Sequence, residues 1–127
     1  RYFNVYGDRM NNEGGYKLVF PIFKEQSKDG KPLTINNDGK QRRDFIHVDD
    51  IVDVNILVAN ECYCATYNVG SGKSYSINEI ADMFGGKKSY GNKTIEPFET
   101  LSDNSKIDLE LNWHPKGNLE KWICSIL

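Results

Sequence analysis

The stretch from Arg42 to Asn60 limits the possible folds more than any other. Arg42-Arg43-Asp44-Phe45-Ile46-His47 is a short run with an aromatic and a branched residue at its centre, the composition of a strand. Immediately after it, Val48, Ile51, Val54 and Val58 recur at helical spacing, which predicts a helix from about Asp49 to Asn60 with one buried stripe. Asp49, Asp50 and Asp53 fall in its first turns, where carboxylates meet the positive end of the helix dipole. A strand that runs almost directly into an amphipathic helix is an α/β unit, and the remaining sequence has to be arranged around it.

The flanking sequence supplies more units of the same kind. Arg1 to Gly7 is a strand pattern rich in aromatic and branched residues, Asn11 to Gly15 a loop, and Tyr16 to Lys28 a helix bent by Pro21. Strands are predicted over Pro32–Ile35 and Ala65–Val69, with a turn over Asn36–Gly39 between the first of these and the Arg42 strand. Ser76 and Glu79 form a capping box ahead of Ile77, Ile80, Ala81 and Phe84, and Gly85-Gly86 ends that helix. Lys87 to Thr100 reads as a loop or short edge strand. Asp103 or Ser105 caps a helix through Leu111, and a last helix after Asn118 buries Leu119, Trp122, Ile123 and Ile126, with Trp113 as its anchor. The expected fold class is a small mixed α/β domain, with residues 1–127 as a single unit and strands too uneven for a self-sufficient doubly wound sheet. Because the pattern starts in mid-strand, the expectation is a second part of something longer.

Composition narrows the function classes. The chain has 16 basic and 18 acidic side chains, a net charge of -2, and no basic run that would suit a nucleic acid. Its apolar stretches are far short of a membrane span and no signal peptide heads it, so a cytoplasmic protein is expected. Cys62, Cys64 and Cys124 lack zinc-site spacing and are expected as reduced thiols. His47, Asp49 and Asp50 could be weighed as metal ligands, but the helix dipole already accounts for the two acids, and no metal is expected. Gly72-Lys73-Ser74 imitates the end of a phosphate-binding P-loop. Its first glycine would fall at Tyr67, however, and the helix opens at Ser76 rather than at the lysine, so Gly70 and Gly72 are expected to serve backbone angles.

Five motifs occur in a fixed order: Arg1-Tyr2-Phe3-Asn4-Val5-Tyr6-Gly7, Gly30-Lys31-Pro32-Leu33-Thr34-Ile35, Arg43-Asp44-Phe45-Ile46-His47-Val48-Asp49-Asp50, Tyr67-Asn68-Val69-Gly70-Ser71-Gly72, and Asp103-x-Ser105-Lys106 with Leu111-Asn112-Trp113-x-Pro115. Together they resemble the carboxyl-terminal half of NAD-dependent epimerases and dehydratases, the extended short-chain dehydrogenases of the UDP-galactose 4-epimerase type. The resemblance implies a substrate-binding domain, residues 1–127, whose amino-terminal Rossmann half would hold most of the NAD. Neither a glycine-rich dinucleotide turn nor a Tyr-x-x-x-Lys pair is present, so no catalytic residue is assigned and the chain is expected to bind a nucleotide sugar without transforming it. The other class of reading is a stand-alone nucleotide-sugar-binding or structural module with no enzymatic partner.

The resemblance also places residues. Arg43 falls where the family grips the diphosphate, and a guanidinium fork matches phosphate oxygens; on pattern alone it is a surface arginine paired with Asp44 or Asp38. Asn4 matches an asparagine that reaches the phosphate side of the substrate, and Tyr2 a position near the nicotinamide. Val19 and Phe20 match the helix start that lines the nucleotide slot, although core packing serves them equally. Thr34 and Asn36 fall where strand-edge backbone groups hold the base, with Asn36 departing from an often aromatic position. Lys93 stands where relatives carry an arginine. Without its Rossmann half, such a domain is expected to expose the apolar face of its first strand and neighbouring helix, a surface that invites a homodimer.

Overall fold

A computed structural model of the chain describes residues 1–10, 18–61 and 64–127. The expected loop at Asn11–Gly15, the first two residues of the expected first helix, and Cys62 lie outside the described residues. The central strand, β3, spans Arg42–His47 as the sequence predicts, and its helix, α2, follows without a gap over Val48–Glu61. The observed order before and after them is β1 (Asn4–Tyr6), α1 (Val19–Lys28), β2 (Leu33–Ile35), then β4 (Ser74–Ser76), α3 (Ile77–Phe84), β5 (Lys88–Tyr90), β6 (Glu99–Thr100), α4 (Ser105–Leu111) and α5 (Leu119–Ile126).

Every strand of the larger sheet pairs with β3. Its second half runs parallel to β1, Asn4 opposite Phe45 and Tyr6 opposite His47. Its first half runs antiparallel to β4, Arg42 opposite Ser76, and parallel to β6, Arg43 opposite Thr100. A separate two-stranded sheet pairs β2 with β5 in parallel. One apolar core joins Tyr6, Phe20, Phe23, Phe45, Ile80, Phe84 and Ile123; the other joins Ile46, Val54, Tyr67, Val69, Ile107 and Trp113. Phe45 and Ile46, adjacent on β3, point into different cores, as strand alternation requires.

Several expectations need correction. Helix α1 begins at Val19 and Pro21 falls in its first turn, where the missing N–H has no intrahelical acceptor to lose, so the proline opens the helix instead of bending it. Among the described residues, Ala65–Val69 is not a strand: Val69 makes one parallel bridge to Tyr2, with its N–H donating to Arg1 C=O (2.9 Å) and its C=O accepting from Phe3 N–H (3.1 Å). The strand β4 was not expected at all. Trp113 anchors the core under α2 and not the last helix. His114 is exposed beside Asp108, at 3.4 Å.

The capping box is present as read. Ser76 Oγ accepts from Glu79 N–H (3.1 Å), Glu79 Oε2 accepts from Ser76 N–H (2.7 Å), and Gly85 takes the left-handed conformation at φ 72°. Asn118 Oδ1 caps α5 by accepting from Lys121 N–H (2.9 Å). Asp50 does more than meet the dipole. It is buried, and it accepts from the N–H groups of Lys116 (2.8 Å) and Gly117 (2.9 Å), tying the segment before α5 to α2. On the other side of α2, Val48, Val52 and Ile56 form an exposed apolar stripe beside Tyr2, whose hydroxyl donates to Asn55 Oδ1 (2.7 Å).

Candidate functional site

The first half of β3, the start of α1 and the end of β2 enclose a cleft of about 200 Å³. Asn4, Val19, Thr34, Asn36 and Arg43 all line it, together with Gln41 and Glu96. Asn4 and Arg43, 39 positions apart in sequence, are brought together by the β1–β3 pairing. A second hollow of about 520 Å³, walled by Tyr2, Phe3, Met10 and Thr100, shares Asn4 and Leu18 with the first. The two adjoin in a trough whose combined size falls in the range of roughly 300–1,000 Å³ typical of small-molecule sites.

Phe20 and Lys93 stand elsewhere. The Phe20 ring is 1% exposed and packs against Tyr6, Phe45 and Trp122, so it belongs to the core, whereas Val19 lines the cleft. The outer side of Phe20 borders a separate hollow of about 900 Å³ between α1 and α5 that holds none of the polar candidates. Lys93 is exposed and does not line the cleft.

Arg43 enters the cleft from β3 with only 14% of its side chain exposed. Its Nη1 donates to Arg42 C=O (2.7 Å) and Pro97 C=O (2.8 Å), and its Nη2 pairs with the Glu96 carboxylate. Its partner is therefore neither Asp44 nor Asp38. Asp44 points to the opposite side of β3, and Asp38 lies beside Lys40. Asn4 Nδ2 donates to Asp44 C=O (2.8 Å), which satisfies one amide edge and fixes the side chain on the cleft wall.

At the far end, β2 offers a strand edge. Leu33 N–H donates to Lys87 C=O and Ile35 C=O accepts from Gly91 N–H, so Thr34 and Asn36 face away from β5. Two glutamines partly fill that open edge: Gln26 Oε1 accepts from Thr34 N–H (3.0 Å), and Gln41 Nε2 donates to Asn36 C=O (3.1 Å). Among the described residues, Thr34 C=O and Asn36 N–H are left as a neighbouring acceptor and donor, a pair that a planar base can engage in its own plane.

The glycine turn is closed to phosphate. Ser71 N–H (2.7 Å) and Gly72 N–H (3.0 Å) converge on an anion, but that anion is the wholly buried Asp44 carboxylate, which also takes Ser71 Oγ (2.7 Å) and Ser102 N–H (3.0 Å). Gly72 has φ +71°, as expected for a backbone role; Gly70 is there for close approach, since a Cβ would lie 2.4 Å from that of Ser102. Both N–H groups of this turn are therefore already taken by Asp44. Burial first, then the Asp50 and Tyr75 groups, push the Tyr6 phenol above the usual tyrosine range. No cluster of metal-ligating side chains occurs among the described residues, and no helix there is long and apolar enough to cross a membrane.

Gln26, Gln41 and Glu96 were not found by sequence reasoning. None belongs to an apolar period or a turn signature, and each acts across a distance that only the fold closes.

The NAD dependent epimerase/dehydratase family model matches residues 1–70. The whole chain is 29% identical over 134 positions to a Methanocaldococcus jannaschii protein provisionally named UDP-glucose 4-epimerase, of which it covers 43%. It superposes with a TM-score of 0.86 and 32% identity on UDP-N-acetylglucosamine 4-epimerase from Methanobrevibacter ruminantium in complex with UDP-N-acetylmuramic acid, over 97% of this chain and 42% of that one. A UDP-glucuronic acid 4-epimerase from Bacillus cereus, in complex with UDP-glucuronic acid and NAD, matches with a TM-score of 0.85 and 28% identity over 97% of this chain and 41% of that one. The chain spans less than half the length of the relatives it matches.

Proposed function

Since this chain belongs to the NAD dependent epimerase/dehydratase family, we propose that it is the substrate-binding part of a nucleotide-sugar epimerase or dehydratase and does no chemistry by itself. The observation that carries the reading is the single cleft shared by Asn4, Val19, Thr34, Asn36 and Arg43. It supplies, in order along its length, what a nucleotide sugar presents. The open β2 edge at Thr34 and Asn36 would take the base, with Val19 and Ile22 of α1 as its apolar wall. Arg43 would meet the diphosphate with a charge-assisted bond and Asn4 would stand beside it. The sugar would then lie in the wider hollow toward Tyr2.

Within a complete enzyme this part would contribute affinity and orientation. Fixing base and diphosphate holds the sugar's reacting carbon in one place, which lowers the entropy cost of the chemical step. NAD, bound elsewhere in such an enzyme, would supply the hydride acceptor, and this chain's share would be the Tyr2 wall. The exposed Val48, Val52 and Ile56 stripe beside Tyr2 is the face that a cofactor-binding half would cover.

Titration of UDP-, dTDP- and GDP-sugars into the full-length protein by calorimetry tests the reading. At least one is expected to bind at micromolar to millimolar level, with Val19→Trp, which fills the slot, abolishing it. Failure of all three, or binding indifferent to Val19→Trp, would overturn the site.

A further inference from the structure

Resting on that reading of the cleft, we propose that Glu96 is the positioning residue for Arg43: it selects which edge of the guanidinium is offered to the diphosphate.

The argument begins with the five N–H donors of an arginine, which lie in a rigid plane. Both Nη1 hydrogens are taken by the backbone carbonyls of Arg42 and Pro97, and one Nη2 hydrogen by Glu96. Among the described residues Nε–H and the other Nη2–H have no acceptor. The guanidinium is thus held along one side and left with two donors for an incoming anion.

Glu96 is itself fixed well enough to do this. It lies in the segment between β5 and β6 that has no helix or strand of its own; backbone bonds from Asn37 N–H to Asn92 C=O (3.0 Å) and from Arg42 N–H to Phe98 C=O (2.7 Å) hold the segment on either side of it, and side-chain contacts fix the carboxylate. The oxygen turned from Arg43, Oε1, accepts from Asn37 Nδ2 (3.0 Å), Thr94 Oγ1 (2.9 Å) and, at 3.4 Å, Gln41 Nε2. Gln41 shows how strongly this arrangement is specified. Its amide turns Nε2 toward two acceptors, Glu96 and Asn36 C=O, and leaves its buried Oε1 without a partner among the described residues. Flipping the amide would set an oxygen against a carboxylate and a carbonyl, so the unsatisfied acceptor is the lesser cost. A carboxylate beside Arg43 lowers the net charge that the site offers to an anion. Its compensation is orientation, since a bidentate bond needs a fixed plane more than it needs excess charge.

The test compares UDP with uridine, which lacks the phosphates, on the full-length protein by NMR titration, in wild type, Glu96→Gln, Arg43→Met and the double variant. Glu96→Gln is expected to weaken UDP about tenfold and leave uridine unchanged, and to add nothing on the Arg43→Met background. Equal weakening of uridine would mean that Glu96 touches the nucleoside; tighter UDP binding would make it a competitor for Arg43; additive losses would make the two residues independent. Each of these overturns the proposal while leaving the nucleotide site standing. Failure of wild type to bind UDP, dTDP and GDP alike overturns the site itself and this role with it.

Discussion

Arg43 and Asp44 are neighbours on β3, and their side chains leave it on opposite sides for opposite fates. Asp44 is fully buried and saturated, with four donors from Ser71, Gly72 and Ser102 on its two oxygens. Arg43 is nearly as enclosed, yet it lines a cleft and, among the described residues, keeps two donors without an acceptor. A saturated buried charge holds architecture; one left partly unsatisfied at a hollow is available to a ligand. Substitution should separate the two roles. Asp44→Ala strands three backbone N–H groups at once and is expected to lower the free energy of unfolding by about 4 kcal/mol. Arg43→Lys is expected to cost about 1 kcal/mol or less in urea unfolding, yet to weaken UDP about tenfold because the fork is lost. The contrast breaks if the two variants unfold alike, or if Asp44→Ala stays folded and loses only ligand.

The turn held by Asp44 can be probed through its two glycines, which are glycine for different reasons. A Cβ on Gly70 would lie 2.4 Å from Ser102 Cβ and 2.6 Å from Asp44 Oδ2, so Gly70→Ala has to push the turn off its anchor. A Cβ on Gly72 meets nothing closer than Asn104 Nδ2 at 3.8 Å, and only the +71° φ opposes it. Thermal unfolding is expected to show losses of about 2–3 kcal/mol for Gly70→Ala and about 1 kcal/mol for Gly72→Ala. The reverse order would mean that backbone angle, not proximity to Asp44, sets this turn.

The same contrast explains what could be read in the sequence. The strand and helix from Arg42 onward, the box at Ser76, the glycine stop at Gly85 and the cap at Asn118 are local devices, and each appears where the residues place it. What escaped is tertiary. The strand β4 has one apolar residue, Tyr75, under a strong turn signal, and exists because Arg42–Asp44 pair with it. Asp44 looked like a partner for Arg43 because they are adjacent, whereas strand alternation sends them apart. Arg43, Asn4 and Thr34 could be named through family resemblance. Glu96 and Gln41, 55 positions apart and on irregular chain, have no local signature of their meeting.

The helix α3 gives the smallest test, and the one in which sequence and structure should agree closely. Ser76→Ala removes the acceptor for Glu79 N–H and is expected to cost about 1 kcal/mol. The other half of the box is titratable. Hydrogen bonds from Ser76, its backbone N–H foremost, hold the Glu79 carboxyl below the usual glutamate range, with Arg42 adding to the effect. A depressed value in the folded state means that the ionised group stabilises above the unfolded value, and that this is lost as pH falls through the folded one. Glu79 is about half exposed at 49%, so solvent screening limits the gain to about 0.5 kcal/mol. Glu79→Gln should therefore lie slightly below wild type at neutral pH and converge with it as the pH falls below the glutamate range. A gap that persists in acid would show that Glu79 acts through packing and not through charge.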